Sequence, residues 1–509
     1  MKSGRVIGSD ELDARALAQR IVDDAREEAE RLREAARAEV ARIRHDAREL
    51  AQRLVQDARI DADRLTARAE NAVAGLRAHA RVATANPVAE DAATGTVDEV
   101  VGLVVRATVP GVALGEIVRI DRRDREPLAG EVVGFRGEQA VVLPLGEVAG
   151  VAPAGRVWRT GAPLSIRCGE DLLGRVVDGI GAPLDGGPPL AGEPWAIDRA
   201  APAALSRPPI STPQPTGVRV LDTMLTLGRG QRVGLFAAAG VGKSTLLGQI
   251  ARGASADVIV LCLVGERGRE LAELLREELA PARQRTVVVC ATSDAPPLVR
   301  LRAIHTATAI AEWFRDRLSA SVLLLCDSLT RVARAQREVG LSAGEPAARH
   351  GYPPSVFALL PRLIERAGAT PQGVITAIYT VLVAGNDLDE PIADEVRGLV
   401  DGHIVLDRRL AQRGHFPPID VVASVSRLMA RVVDPAHAAA AARVRTRLAI
   451  YEEHRDLITL GAYQAGRDRA VDDAVRTYPA IERLVQQPRD ELAEWDTSLA
   501  ALLTLAGPR

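Results

Sequence analysis

Residues 233–250 leave this chain little freedom in what it can fold into. A short apolar run, Val233-Gly234-Leu235-Phe236, passes into Ala237-Ala238-Ala239-Gly240-Val241-Gly242-Lys243-Ser244-Thr245 and then into helix-forming residues 246–250. That order, strand then tight loop of small residues then helix, brings backbone amides and a helix N-terminus together around an anion. Lys243 at its position can reach the outer phosphates of a nucleotide, and the Ser244 hydroxyl is placed to ligate magnesium. An ordinary glycine-rich turn is the alternative, and the flanking strand and helix argue against it. The chain uses lysine only twice among its 65 basic residues, at Lys2 and Lys243. A compact ammonium reaches between phosphates where a planar guanidinium is bulkier, so the exception falls where chemistry prefers lysine.

Hydrolysis needs two further groups, an acid that supports the metal and a group that polarises water. The run Val322-Leu323-Leu324-Leu325-Cys326-Asp327 reads as a buried parallel strand ending in a carboxylate, which makes Asp327 the candidate magnesium-supporting acid. Another apolar strand, 258–264, leads into Gly265-Glu266-Arg267-Gly268-Arg269-Glu270. Glu266 thereby stands at a strand end, where it could act on the attacking water. A solvated charge cluster is the bland alternative there.

With 509 residues, three or four domains are expected. Residues 1–83 contain a stretch from 10 to 83 with no proline and one glycine, Gly75, dominated by Ala, Arg, Glu and Asp, which reads as one long helix. From Val22 to Ala80 its apolar stripe advances 58 residues in sixteen steps, close to the 3.6 of a straight helix. The stripe is rich in alanine, so it supports no deep core of its own and would admit a close partner helix. A linker, 84–96, precedes short valine-rich segments at 100–105, 117–120, 130–134 and 139–143, the pattern of a small β-barrel over 97–165. Residues 166–427 alternate strand and helix signals, as an α/β domain with a mostly parallel sheet does. Residues 428–509 read as a helical C-terminal domain, punctuated at 464–469 and at Pro479.

Composition excludes more than it assigns. A net charge of -2 gives no general attraction to nucleic acid, and the barrel segment holds only Phe135 and Trp158 as stacking groups, which argues against a single-strand-binding RNA translocase. Four scattered cysteines form no CxxC pair, so neither a zinc site nor a disulfide framework is expected. The N-terminus is charged and no apolar run approaches membrane-spanning length, which suggests a cytoplasmic protein.

The phosphate loop, the 265–270 segment and Pro417-Pro418-Ile419-Asp420-Val421-Val422-Ala423-Ser424-Val425-Ser426 together resemble the rotary ATPase catalytic-subunit superfamily. Within it, Asp327-Ser328-Leu329-Thr330-Arg331, Gly351-Tyr352-Pro353-Pro354-Ser355-Val356-Phe357 and Asp389-Glu390-Pro391-Ile392-Ala393-Asp394-Glu395-Val396-Arg397 look like the export ATPases of type III secretion and flagellar assembly, over residues 98–480. The resemblance implies a P-loop (RecA-like) α/β core, ATP and Mg2+ as ligands, and a homo-hexamer with nucleotide sites between neighbours. It implies that Arg427 completes the next chain's site, that Phe416 packs against adenine, and that Arg267 lies near the terminal phosphate. It further implies work at the export gate of a membrane-bound secretion apparatus, with a central stalk, export chaperones and substrates as partners. A subunit of an ion-translocating rotary ATPase shares the same motifs, and a catalytically silent subunit is disfavoured by Lys243 and Glu266.

Two departures stand out. Ala238 and Ala239 replace a glycine and a serine usual in export ATPases, which matters only where the backbone needs positive φ. The N-terminal helix has no place in the usual pattern and resembles, in composition and in its opening Arg5-Val6-Ile7, the stator-like regulator of these ATPases, so a fusion of regulator and motor is expected. Val109-Pro110-Gly111-Val112 and Arg159-Thr160-Gly161 look closer to injectisome than to flagellar forms.

Overall fold

A computed structural model of the chain describes residues 94–383 and 387–507, together with Glu30. The long helix and most of the linker expected over 1–96 lie outside the described residues.

Six strands close a barrel in the order β1-β2-β5-β4-β3-β6. They are β1 (Thr94–Val101), β2 (Val104–Thr108), β3 (Glu116–Ile120), β4 (Leu128–Arg136), β5 (Gln139–Pro144) and β6 (Arg156–Pro163). The segment 100–105, read above as one strand, straddles the β1–β2 turn, where Gly102 takes φ +58°. Valines flank the turn on both sides, so hydrophobicity alone runs straight through it. Side chains alternate between two environments along the strands. Val105, Val118 and Val142 fill the barrel, whereas their neighbours Val104, Ile117 and Val141 join the core of the following domain. A buried Glu131–Arg302 ion pair, with Arg302 Nε donating over 2.8 Å, ties β4 to the core helix Pro297–Leu318.

After a two-stranded ribbon of β7 (Ser165–Cys168) and β9 (Glu193–Ala196), the core sheet takes over. Its strands are β8 (Val176–Asp178), β10 (Arg232–Ala237), β11 (Val258–Glu266), β12 (Thr286–Thr292), β13 (Ser321–Asp327), β14 (Gly368–Ala369), β15 (Val374–Leu382), β16 (Gly402–Leu406) and β17 (Ile419–Ser426). The order is β17-β16-β10-β15-β13-β11-β12-β8, parallel throughout except for β17 and the short β14. Every residue of β11 is buried, as expected of a strand covered on both faces. One face packs the helix Pro297–Leu318, and the other packs the helix Lys243–Gly253 and the C-terminal helices.

The C-terminal region is helical: Pro435–Thr459, Arg469–Val485 and Trp495–Ala506. Pro479, read as punctuation, lies inside the second of these helices. Burial of Val471, Ala474, Ile481 and Leu484 on one face carries the helix past the lost backbone donor.

Candidate active site

The phosphate loop leaves the sheet at Ala237, the last residue of β10, and returns to regular structure at Lys243, the first residue of the helix Lys243–Gly253. Gly240 (φ +78°) and Gly242 (φ +92°) take left-handed backbone, which L side chains resist. A Cβ at Gly240 would meet nothing within 4 Å, so its glycine serves conformation and not space. Ala238 and Ala239 are not among the positive-φ residues, so the alanines sit where the backbone accepts a side chain. Val241 anchors the loop in the core at 2% exposure, while Ser244 and Thr245 open toward the cavity described below.

Lys243 extends back across the carboxyl edge of the sheet and forms an ion pair with Asp327. Its Nζ lies 3.9 Å from Glu266 Oε1. Asp327 ends β13 and Glu266 ends β11, and β15 runs between β10 and β13. Asp327 is therefore one strand removed from the strand that carries the loop, and the intervening β15 contributes Thr380, whose Oγ1 donates to Asp327 Oδ1 over 2.9 Å. On its other side Glu266 meets Arg331, with Nη2 to Oε1 at 3.1 Å, while Arg331 also donates to the Gly265 carbonyl. Burial pushes the Glu266 carboxyl up to about 7, helped by the Asp327 charge and a hydrogen bond with Glu270 and opposed by Lys243 and Arg331. A carboxylate poised near neutrality is suited to take and return a proton.

Arg331 and Thr380 were not singled out from sequence. Ser328 caps the helix Leu329–Ala343, accepting from Arg331 N, so Arg331 sits in the first turn after Asp327 and faces the strand ends. That four-residue spacing was a readable signal. For Thr380 the signal was a hydroxyl near the end of a mostly apolar buried strand, where burial requires a partner.

Ser244, Thr245, Glu266 and Asp327 line one cavity of about 260 Å³. The Ser244 hydroxyl and the Asp327 carboxylate are hard oxygen donors of the kind Mg2+ accepts alongside substrate phosphates and water. Among the described residues no group of three or more His, Cys, Asp or Glu side chains forms a closed metal cage. The Ser244 and Asp327 oxygens fit a cation that shares its coordination with nucleotide phosphates. A second cavity, of about 800 Å³, opens beside Gly242, Thr245 and Phe416. Phe416 is 48% exposed, and its ring comes within 3.9 Å of where a Cβ on Gly242 would stand, flanking the loop as a base platform would.

Two sequence-predicted residues stay apart from this cluster. The Arg267 side chain is 76% exposed and pairs with Glu270 at 3.6 Å. Arg427 follows β17, the strand that runs antiparallel to β16, so it emerges at the edge of the sheet opposite the phosphate loop. The eight residues of β17 span roughly 25 Å at a strand's usual rise, so Arg427 does not reach the loop of its own chain. It is exposed, and its Nη2 donates to the Arg397 carbonyl over 3.4 Å.

Residues 217–426 match the nucleotide-binding domain of the ATP synthase alpha/beta family, residues 97–161 its beta-barrel domain, and residues 433–504 the T3SS EscN ATPase C-terminal domain. The chain is 47% identical over 417 residues to the flagellum-specific ATP synthase of Bacillus subtilis, covering 81% of this chain and 95% of that protein. It is 48% identical over 414 residues to the type 3 secretion system ATPase of Xanthomonas euvesicatoria, covering 81% and 93%. Among solved structures, the assembled ATPase EscN of the enteropathogenic E. coli type III secretion system matches with a TM-score of 0.77 at 42% identity, over 81% of this chain and 100% of that one. EscN in complex with its central stalk EscO matches with a TM-score of 0.75.

Proposed function

This chain belongs to the type III secretion and flagellar export ATPases of the ATP synthase alpha/beta family, and we propose that it hydrolyses ATP as a homo-hexamer whose sites are each finished by Arg427 of a neighbour. The convergence of Lys243, Glu266 and Asp327 on the phosphate loop, with Arg427 at the opposite sheet edge, carries this reading.

The Lys243 ammonium rests on Asp327. Phosphates entering the loop offer that ammonium stronger acceptors, and its departure frees the Asp327 carboxylate. Ser244 and Asp327 would hold Mg2+, which would supply positive charge to the phosphates. Thr380 and Arg331 keep the two acids in place, one by donating to Asp327 and the other by pairing with Glu266. Glu266 takes the proton of the attacking water, and Arg427 from the next subunit meets charge developing on the transferred phosphoryl. Phe416 packs against the base. Arg267, exposed beside Glu270, lies outside this set in a single chain, and neighbour contact would be needed to bring it to the terminal phosphate.

Hydrolysis by 166–427 would drive differential binding of export substrates around the ring, releasing chaperones and delivering cargo to the gate. The central stalk and the membrane-bound apparatus are its expected partners, with the barrel 97–165 and the helical end 428–509 framing the motor. No described helix is long and apolar enough to cross a membrane. Residues 1–83 would act as a fused stator-like anchor, and the lean toward an injectisome system stays with the barrel motifs named above. Phosphate release measured across a protein dilution series, beside sedimentation, tests the ring. Turnover per chain is expected to rise as rings form, and monomers as active as rings would overturn the mechanism. Deleting residues 1–90 is expected to abolish recruitment to the apparatus while leaving hydrolysis, and intact recruitment would remove the anchoring role.

A further inference from the structure

The cavity beside Phe416 is closed by a segment the mechanism has not used, the loop that follows the helix Arg469–Val485. Three glutamines line it: Gln249, Gln486 and Gln487. Two are committed to the fold. Gln487 is buried, accepts from Arg219 N over 2.7 Å and donates to the carbonyls of Gly217 and Glu491. Gln249 is 2% exposed and donates to the carbonyls of Pro488 and Glu491.

Gln486 differs. It is half-buried, and its carboxamide nitrogen lies 3.2 Å from Nδ1 of His415, the residue before Phe416. His415 itself is 7% exposed and lines a neighbouring cavity of about 640 Å³, so it stands behind Gln486 and does not face the base. Burial holds its imidazole below the ordinary range, and a neutral ring keeps one nitrogen bare. With the proton on Nε2, Nδ1 accepts the amide hydrogen of Gln486, and the carboxamide oxygen is left as the pole available to the pocket. The two segments are also clipped together, because Gln487 N donates to the Phe416 carbonyl over 2.8 Å.

Resting on the ATPase reading above, we infer that Gln486 is a base-specificity residue whose carboxamide oxygen accepts the exocyclic amine of adenine, and that His415 is the positioning residue that aims it. Guanine carries a carbonyl at the corresponding ring position and would set two acceptors against each other. A purine without the substituent offers no donor and leaves the Gln486 oxygen to water.

The test is competitive displacement of a fluorescent ATP analogue from the full-length assembled protein by ATP, GTP and purine riboside triphosphate, which lacks the amine. Wild-type protein is expected to bind ATP about threefold to tenfold tighter than purine riboside triphosphate, the range of one neutral hydrogen bond. Gln486→Leu should bring that ratio close to one while leaving affinity for purine riboside triphosphate within about twofold. His415→Ala should lower the ratio as well, whereas a merely structural lesion weakens all three nucleotides alike. Equal binding of ATP and purine riboside triphosphate by wild type, or an unchanged ratio in Gln486→Leu, would overturn the inference. Because the readout is binding, protein that discriminates but does not hydrolyse would defeat the mechanism above and spare this inference. Protein that hydrolyses but ignores the amine would do the reverse.

Discussion

The two edges of the core sheet are built to different standards. At the carboxyl edge, Asp327 and Glu266 are buried and Lys243 reaches both, while Thr380 donates to Asp327 Oδ1 and Arg331 pairs with Glu266 Oε1. At the opposite edge the Arg427 side chain is exposed and, among the described residues, makes one long hydrogen bond, to a backbone carbonyl. A buried charged group must find its partners within the chain, whereas an exposed one can wait for a partner from outside. On the mechanism proposed above, the contrast means that one chain grips a nucleotide by itself and borrows one group to cleave it.

The comparison breaks most readily at Arg427. Arg427→Ala is expected to lower turnover by roughly 10³-fold with nucleotide affinity nearly unchanged, the signature of a charge supplied in trans. Equilibrium binding measured beside steady-state phosphate release checks both halves. At the buried edge, Glu266→Gln should retain ATP and lose on the order of 10²-fold or more in turnover, and undiminished hydrolysis would remove Glu266 as the base.

A pH profile sharpens the difference between the edges. Glu266 must be ionised to accept a proton, and burial pushes its pKa up to about 7, so turnover should climb as pH rises through about 7. Arg331 opposes that rise, so Arg331→Gln should move the midpoint upward by roughly one unit and depress activity most below neutrality. The smallest effect belongs to Phe416. Phe416→Ala should weaken nucleotide binding by about 1 kcal/mol, a few-fold in Kd, with little change in turnover at saturation.

Much of the buried edge was legible in sequence, because its groups end apolar strands. A β-run that stops in aspartate or glutamate places that carboxylate at the sheet's carboxyl edge whatever the strand order. Strand order itself was not legible, since nothing in local pattern says that β15 slips between β10 and β13. Thr380 was overlooked for that reason, its partner being 53 residues away. The barrel was legible as a class but not in its first turn, where valines on both sides of Gly102 blur the boundary. Pro479 misled in the other direction, because tertiary burial of one helix face outweighs a single missing donor. Gln486 and His415 could not be paired from sequence at all, being joined only where the C-terminal helices meet the loop before β17.

The separation of Arg427 from its own phosphate loop is most directly tested by mixing two inactive proteins, Glu266→Gln and Arg427→Ala, and measuring ATP hydrolysis by the mixed rings. If each site draws its base from one chain and its arginine from the next, about a quarter of the sites in an equal random mixture hold both groups, and activity returns from two silent parents. Mixed rings that form but stay as silent as either parent would contradict the account.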